Sequence, residues 1–410
     1  MRALTTSERV AEAAFLRSSR WRIFAKLPIL RAHRIPRYRM AENLKDIYFT
    51  RAFGEALATA IAAVYPRFDA AAFVDAVFDD GWPALELKAR MRHLSRCLHA
   101  ALPPAYPEAL AILEQVAPGF EGFDAMVFPD FVECYGLDDP DRSLPALALF
   151  TRQCSSEFAI RPFLLADPGG TLAWLNRWAA DPDHHLRRLA SEGCRPRLPW
   201  AQALPMFKAD PSPILPILEQ LRDDPSEYVR RSVANNLNDI AKDHPERVLD
   251  LCERWHGTSP ERNRLVKHAL RTLLKAGHPR ALRLFGFEDP DHVIVTGLAV
   301  EPTSPSIGDA VTVRFVLGIR PAATTRVRLE YAIAFVRSSE RTSRKVFQIR
   351  ETTLAGGEHA IRFRHDFRDR STRRHYPGDH RLAIIVNGRE MAAARIDLRA
   401  TPPTATGDSP

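Results

Sequence analysis

The sequence has no apolar run long enough to span a bilayer, so no transmembrane helix is expected. Its cysteines are few: Cys97, Cys134, Cys154, Cys194 and Cys252 are odd in number, scattered and never in C-x-x-C spacing. That pattern fits reduced thiols in a cytosol and argues against a disulfide framework or a zinc site. A Walker loop, a dinucleotide-binding glycine fingerprint and H-E-x-x-H are all missing. His184, His185 and His244 are scattered rather than clustered, and neither a metal nor a cofactor is expected. The leading segment lacks the continuous apolar core of a signal peptide, because Arg22 and Lys26 interrupt WRIFAKLPIL.

What is present is ordinary in bulk and uneven in place. With 410 residues, 45% hydrophobic and 26% charged, the chain has room for two or three globular domains. The net charge of +8 is not spread evenly. Residues 1–39 hold ten Lys and Arg against two Glu, residues 40–290 hold 29 basic against 35 acidic, and residues 291–410 hold 19 against 13. A basic patch for a polyanion is therefore expected on the C-terminal part rather than along the middle. Residues 1–39 read as a basic, disordered extension ahead of Met40, which opens AENLKDIYF.

From Leu44 to about Leu284 apolar residues recur at three- and four-residue spacing, the period of amphipathic helices. Helix starts are expected at Asp181-Pro182, Asp224-Pro225-Ser226-Glu227 and Ser259-Pro260-Glu261, with Gly277 as a stop. Val229-Arg230-Arg231 is echoed by Val266-Lys267-His268 at an offset of 37 residues. Spacings of this size are those of two-helix repeats. Residues 40–287 are thus expected to form a HEAT-like α-solenoid, against the alternative of a globular bundle. Beyond Pro290 the texture changes to short β-branched or alternating runs, HVIVTGLAVEP, AVTVRFVLGI, RVRLEYAIAFV, RKVFQIRETTL, HAIRFRHDF and HRLAIIVNGRE. Residues 291–400 are expected to form an immunoglobulin-like β-sandwich without its disulfide, and 401–410 a disordered tail. The fold class is multidomain α + β.

Three stretches, TRQCSSEF, LRRLASEG and VRRSVANNLND, read as one repeated helix. Aligning Arg152, Arg187 and Arg230 brings Glu157, Glu192 and Asn235 into register at offsets of 35 and 43 residues, and Asp239 follows Asn235 by one helical turn. Carboxylates on a common face are costly unless something cationic meets them. Each acid alone also reads as a surface group: Arg188 stands four before Glu192, Arg161 four after Glu157, and such pairs contribute only ~0.2–0.5 kcal/mol. Their alignment favours a shared role. Of the recurrent arginines, Arg152, Arg188 and Arg231 are candidates for phosphate contact, while one of each doubled pair could instead brace the preceding repeat. Trp200 follows Arg195-Pro196-Arg197-Leu198-Pro199, a rigid basic loop in which Arg195 is a further candidate DNA contact. The indole either packs between repeats or is presented to stack on a base or sugar. In the C-terminal part, Arg364, Arg373 and Arg374 lie in a guanidinium-rich strand and loop, either a basic face without a ligand or a backbone and minor-groove contact.

SSEFAIRPF, LRRLASEGCRPRLPW and YVRRSVANNLNDIAKDHP resemble the AlkC family of bacterial alkylbase DNA glycosylases, relatives of the AlkD HEAT-like glycosylases. The resemblance runs from about Met40 through the helical region, and many members carry an immunoglobulin-like C-terminal domain. It implies that Glu157, Glu192 and Asp239 fall on active-site acids, Trp200 on an active-site tryptophan and Arg188 on a basic residue beside them. It also implies excision of 3-methyladenine and 3-methylcytosine from double-stranded DNA, without a metal and without drawing the base into a deep pocket. The expected partner is alkylated DNA, with no membrane and no obligate protein partner, for a monomer in the cytoplasm associated with the nucleoid. The rival expectation is a non-catalytic solenoid that binds DNA or a basic protein.

Overall fold

The computed structural model describes residues 44–338, 342–369 and 374–401. The expected extension 1–39, Arg373 and all but the first residue of the expected tail lie outside the described residues. The architecture is α + β: HEAT-like helical repeats run from Leu44–Ile47 to Pro279–Leu284, and an immunoglobulin-like β-sandwich follows from Val293. Among the described residues no helix is long and apolar enough to cross a membrane.

Proline marks many of the helix starts. Pro140, Pro168, Pro245 and Pro260 each occupy the first helical position, where a missing N–H costs nothing. Asp139, Asp167 and Ser259 cap three of these by accepting from the N–H of Arg142, Gly170 and Arg262 at 3.3, 3.0 and 3.1 Å. The helix expected to run from Pro260 to Gly277 is instead two, Pro260–Ala269 and Arg271–Ala276, and Gly277 stops the second, in the left-handed region at φ 76°, with His278 N–H returning to the Leu273 carbonyl at 3.0 Å. Two expected starts shift. Asp181 and Asp224 are not N-caps; they accept from Asp183 N–H and Ser226 N–H, both at 2.8 Å, in turns that hold Pro182 and Pro225 ahead of helices His184–Gly193 and Glu227–Ile240.

The chain divides into two compact units, Met1–Leu189 and Ala190–Pro410. In the first, the helix Arg51–Val64 packs on Ala70–Val77 and Tyr106–Val116, and Leu87–Ala101 on Val127–Tyr135. Leu57, Ile61, Leu94, Phe128, Phe131 and Phe150 are fully buried there. One expectation fails in this unit: TRQCSSEF is not a helix. It is a turn between the helices Pro140–Phe150 and Ile160–Ala166. Ser156 Oγ donates to the Leu147 carbonyl at 2.8 Å and its N–H reaches Thr151 Oγ1 at 3.4 Å, so hydroxyl groups satisfy the backbone that a continuing helix would have used.

In the second unit the helix Glu227–Ile240 lies against Pro260–Ala269, as their sequence echo suggests, with Val229 and Val266 both buried. The sandwich comprises β1 (Val293–Glu301), β2 (Ala310–Val336), β3 (Thr342–Asp366), β4 (Gly378–Val386) and β5 (Arg389–Leu398), antiparallel throughout. Four of the expected short strands are in fact two long ones. A register break between Ile319 and Thr324 divides β2 into a first stretch beside β1 and a second beside β4, with β3 paired to β2 along both. Val313, Phe315 and Leu317 from the first stretch of β2 share one core with Leu329 and Ile333 from the second and with Leu382 and Ile384 of β4. β5 turns back from β4 through Asn387-Gly388, both at positive φ (46° and 81°). Gly388 there approaches Gly277 so closely that a Cβ would lie 2.7 Å from its Cα, and Lys267 pairs with Glu351 of β3. Glycine at both positions is what lets the turn and the helix end meet.

Candidate active site

In the first unit, Glu157 leaves the turn after Phe150 rather than a helix, and the Arg188 guanidinium comes to it from His184–Gly193. Arg188 Nη1 donates to Glu157 Oε2 and, at 2.5 Å, to Ser155 Oγ, which itself donates to Glu157. Arg152 is exposed and pairs with Asp183 at 2.9 Å. Arg187, the first of its doublet, donates to the carbonyls of Asp181 and Pro182 at 2.9 and 2.7 Å. It braces its own leading turn.

The second unit holds the most concentrated set of buried charge on the expected residues. Glu192 (5% exposed) and Asp239 (2%) stand on either side of Arg195 (7%). Arg195 Nη1 donates to Glu192 Oε1 at 2.6 Å, and its Nε to Asp239 Oδ2 at 2.9 Å. The outer carboxylate oxygens are held as well: Ser232 Oγ donates to Glu192 Oε2 at 2.7 Å, and Lys242 Nζ to Asp239 Oδ1 at 3.2 Å. Burial lowers the Arg195 pKa, but Glu192 and Asp239 outweigh it and hold the guanidinium above its ordinary value. Arg195, expected on a basic surface loop against DNA, is thus interior. The sequence conceals this because Gly193 ends the helix, and the chain then turns Arg195 back onto the acids.

Asn235, the register partner of the glutamates, does not carry charge. Its Oδ1 accepts from His268 Nε2 at 2.9 Å and Arg271 Nη2 at 3.1 Å. Burial, then the charges of Arg271, Arg231 and Arg195, hold the His268 imidazole below its ordinary pKa. Sequence reading missed His268, Arg271, Ser232 and Lys242; the recurrent offset of 37 residues to Val266-Lys267-His268 is the signal that leads to the first two.

Trp200 is presented outward, 63% exposed, at φ 64°. Arg231 is exposed, whereas Arg230 donates to the Asp224 and Pro225 carbonyls at 2.5 and 2.9 Å, repeating the bracing role of Arg187. A cleft of about 260 Å³ runs beside them, lined by Arg230, Arg231, Arg264 and His268 among others, and by neither Glu192 nor Asp239. On the sandwich, Arg364 and Arg374 are exposed.

Residues 154–273 match the family model described as DNA alkylation repair enzyme, and residues 294–400 match that of the C-terminal Ig-like domain of YhaZ, an uncharacterised protein. YhaZ of Bacillus subtilis (strain 168) is 44% identical over 347 residues, covering 84% of this chain and 96% of its own. The structure of the Pseudomonas fluorescens alkylpurine DNA glycosylase AlkC, bound to DNA containing an abasic site analog, superposes with a TM-score of 0.84 at 42% identity, covering 88% of this chain and all of that one. Helical repeats with an Ig-like C-terminal domain and these matches define a DNA alkylation repair protein. Within that class, the chain belongs to the AlkC family.

Proposed function

We propose that this protein is a DNA glycosylase of base excision repair that hydrolyses the N-glycosidic bond of cationic alkylated bases, 3-methyladenine and 3-methylcytosine, in duplex DNA. The observation that carries the proposal is the pair Glu192 and Asp239, two buried carboxylates held around one guanidinium. Cleaving the bond develops oxocarbenium charge on the deoxyribose, while a base that is already cationic leaves readily, so a strong general acid is not required. Carboxylates near the sugar stabilise that charge and orient the attacking water. Glu157, Glu192 and Asp239 are assigned to these tasks, Trp200 to sugar or base contact, and Arg188, Arg231 and Arg152 to phosphate. The product is a free base and an abasic site in an unbroken strand.

Removing one acid should cost about 2–4 kcal/mol of transition-state stabilisation, a loss of roughly 30- to 1000-fold in rate. The test is mass-spectrometric identification of bases released from methylated duplex by wild type, Asp239→Asn and Glu157→Gln. Wild type should release 3-methyladenine and 3-methylcytosine, and both variants should lose most excision while retaining DNA binding. Wild-type release by Asp239→Asn contradicts the assignment, and no release by wild type points to the non-catalytic reading.

A further inference from the structure

We infer that Arg195 is a positioning residue that keeps Glu192 and Asp239 ionised together and fixes the direction of both carboxylates. The inference rests on the glycosylase reading for its kinetic consequences, though not for its proton chemistry. Arg195 uses two different nitrogens, Nη1 for Glu192 and Nε for Asp239. One rigid planar group therefore sets the spacing and angle between two acids that come from different helical layers, a task a point-charge ammonium cannot perform. Ser232 and Lys242 occupy the opposite oxygens, so neither carboxylate can rotate without breaking a hydrogen bond.

The electrostatic part follows from burial. Two carboxylates this enclosed repel each other, and without an intervening cation such a pair shares a proton. Within this unit Arg197, Lys242, Arg271 and His268 also act on Asp239 or Arg195. Arg197 is bound in a fork to Asp243, Lys242 lies at the rim, and Arg271 and His268 are engaged with Asn235. Arg195 bonds both acids directly. Loss of its charge should therefore make the pair take up a proton more readily than in wild type, and a half-neutralised pair is a poorer partner for a cationic sugar.

Single-turnover excision measured across pH in wild type, Arg195→Gln, Arg195→Lys, Glu192→Gln and Glu192→Gln/Arg195→Gln tests this, with DNA affinity measured on the same proteins. In Arg195→Gln the ratio of the rate at about pH 7.5 to that at about pH 5.5 should rise roughly tenfold over wild type. Arg195→Lys keeps the charge but loses the fork, so its profile should keep the wild-type shape at a rate lower by about tenfold or more. In the double variant one carboxylate is already neutral, so its profile should differ from that of Glu192→Gln by far less than Arg195→Gln differs from wild type. An Arg195→Gln profile of wild-type shape, or Arg195→Lys at full wild-type rate, overturns the inference. A purely structural ion pair predicts lower melting temperatures with unmoved profiles, and that result overturns it too. Carbon-13 carboxyl titration of wild type and Arg195→Gln provides a readout independent of activity: a side-chain carboxyl in the variant should titrate at higher pH than in wild type. Wild type that releases no base defeats the glycosylase reading, while the carboxyl titration still decides the proton chemistry.

Discussion

Trp200 combines two costs that a merely structural residue would avoid. Its ring is largely exposed, and its backbone sits at φ 64°, where a bulky side chain is strained. Glycine adopts that φ freely, so Trp200→Gly should leave the melting temperature within about 2 °C of wild type. If the indole stacks on a nucleotide, the same change removes about 1–3 kcal/mol, and excision or lesion binding should fall roughly 5- to 150-fold. Equal activity with equal stability would remove Trp200 from the site. His380 makes the complementary case in the sandwich, where it is fully buried and donates Nε2 to the Tyr376 carbonyl at 3.0 Å. Burial lowers its pKa further than that bond and Asp379 raise it. Its folded value thus lies below the unfolded value, so its contribution to stability is complete above about pH 6.5 and is lost as pH falls toward the folded value. Calorimetry between pH 7.5 and 5.5 should show the sandwich losing stability by no more than about 1.4 kcal/mol per pH unit on this account. His380→Gln should flatten that slope.

At the scale of elements, the doubled arginines divide their work in a way no single sequence position announces. Arg187 and Arg230 each turn back to two carbonyls of an aspartate-proline turn, while Arg231 stays exposed. Arg230→Ala should cost about 1–2 kcal/mol of stability through its two charge-assisted bonds, with DNA affinity little changed. Arg231→Ala should leave the melting temperature in place and weaken duplex binding. Thermal melts and binding isotherms of the two neighbours check the division, and the reverse pattern refutes it. The helical repeats, the change to strands and the recurrence of arginine followed by a polar residue were legible because they are periodic or mark turns. The tertiary consequences were not. Helical spacing of the polar residues in TRQCSSEF could not show that Ser156 closes the helix on Leu147, and a run of prolines and arginines could not show that Arg195 folds inward onto two acids. β5 escaped notice because Ala392-Ala393-Ala394 lacks strand alternation, although Asn387-Gly388 is a strong hairpin signal.

For the molecule as a whole, the distribution of charge decides how a polyanion is held. Residues 40–290 carry more acid than base, and residues 291–410 carry 19 basic against 13 acidic. A site built on carboxylates repels phosphate, so affinity for duplex has to come from exposed arginines elsewhere. Arg364 and Arg374 are two such groups on the sandwich, and Arg231 is one on the helical repeats. Each phosphate neutralised releases counterions, and log affinity should therefore fall with log salt by about 0.9 per contact. Replacing Arg364 or Arg374 by alanine should weaken binding about equally for undamaged and alkylated duplex and flatten the salt slope by roughly one each. Asp239→Asn removes negative charge from the proposed reaction site without touching those arginines, so its salt slope should match wild type while excision collapses. Fluorescence anisotropy at graded salt, run on the same preparations used for base release, measures both quantities. A variant of Arg364 or Arg374 with an unchanged slope would show that the sandwich does not grip the backbone there, and would leave the exposed arginines of the helical repeats to supply the affinity.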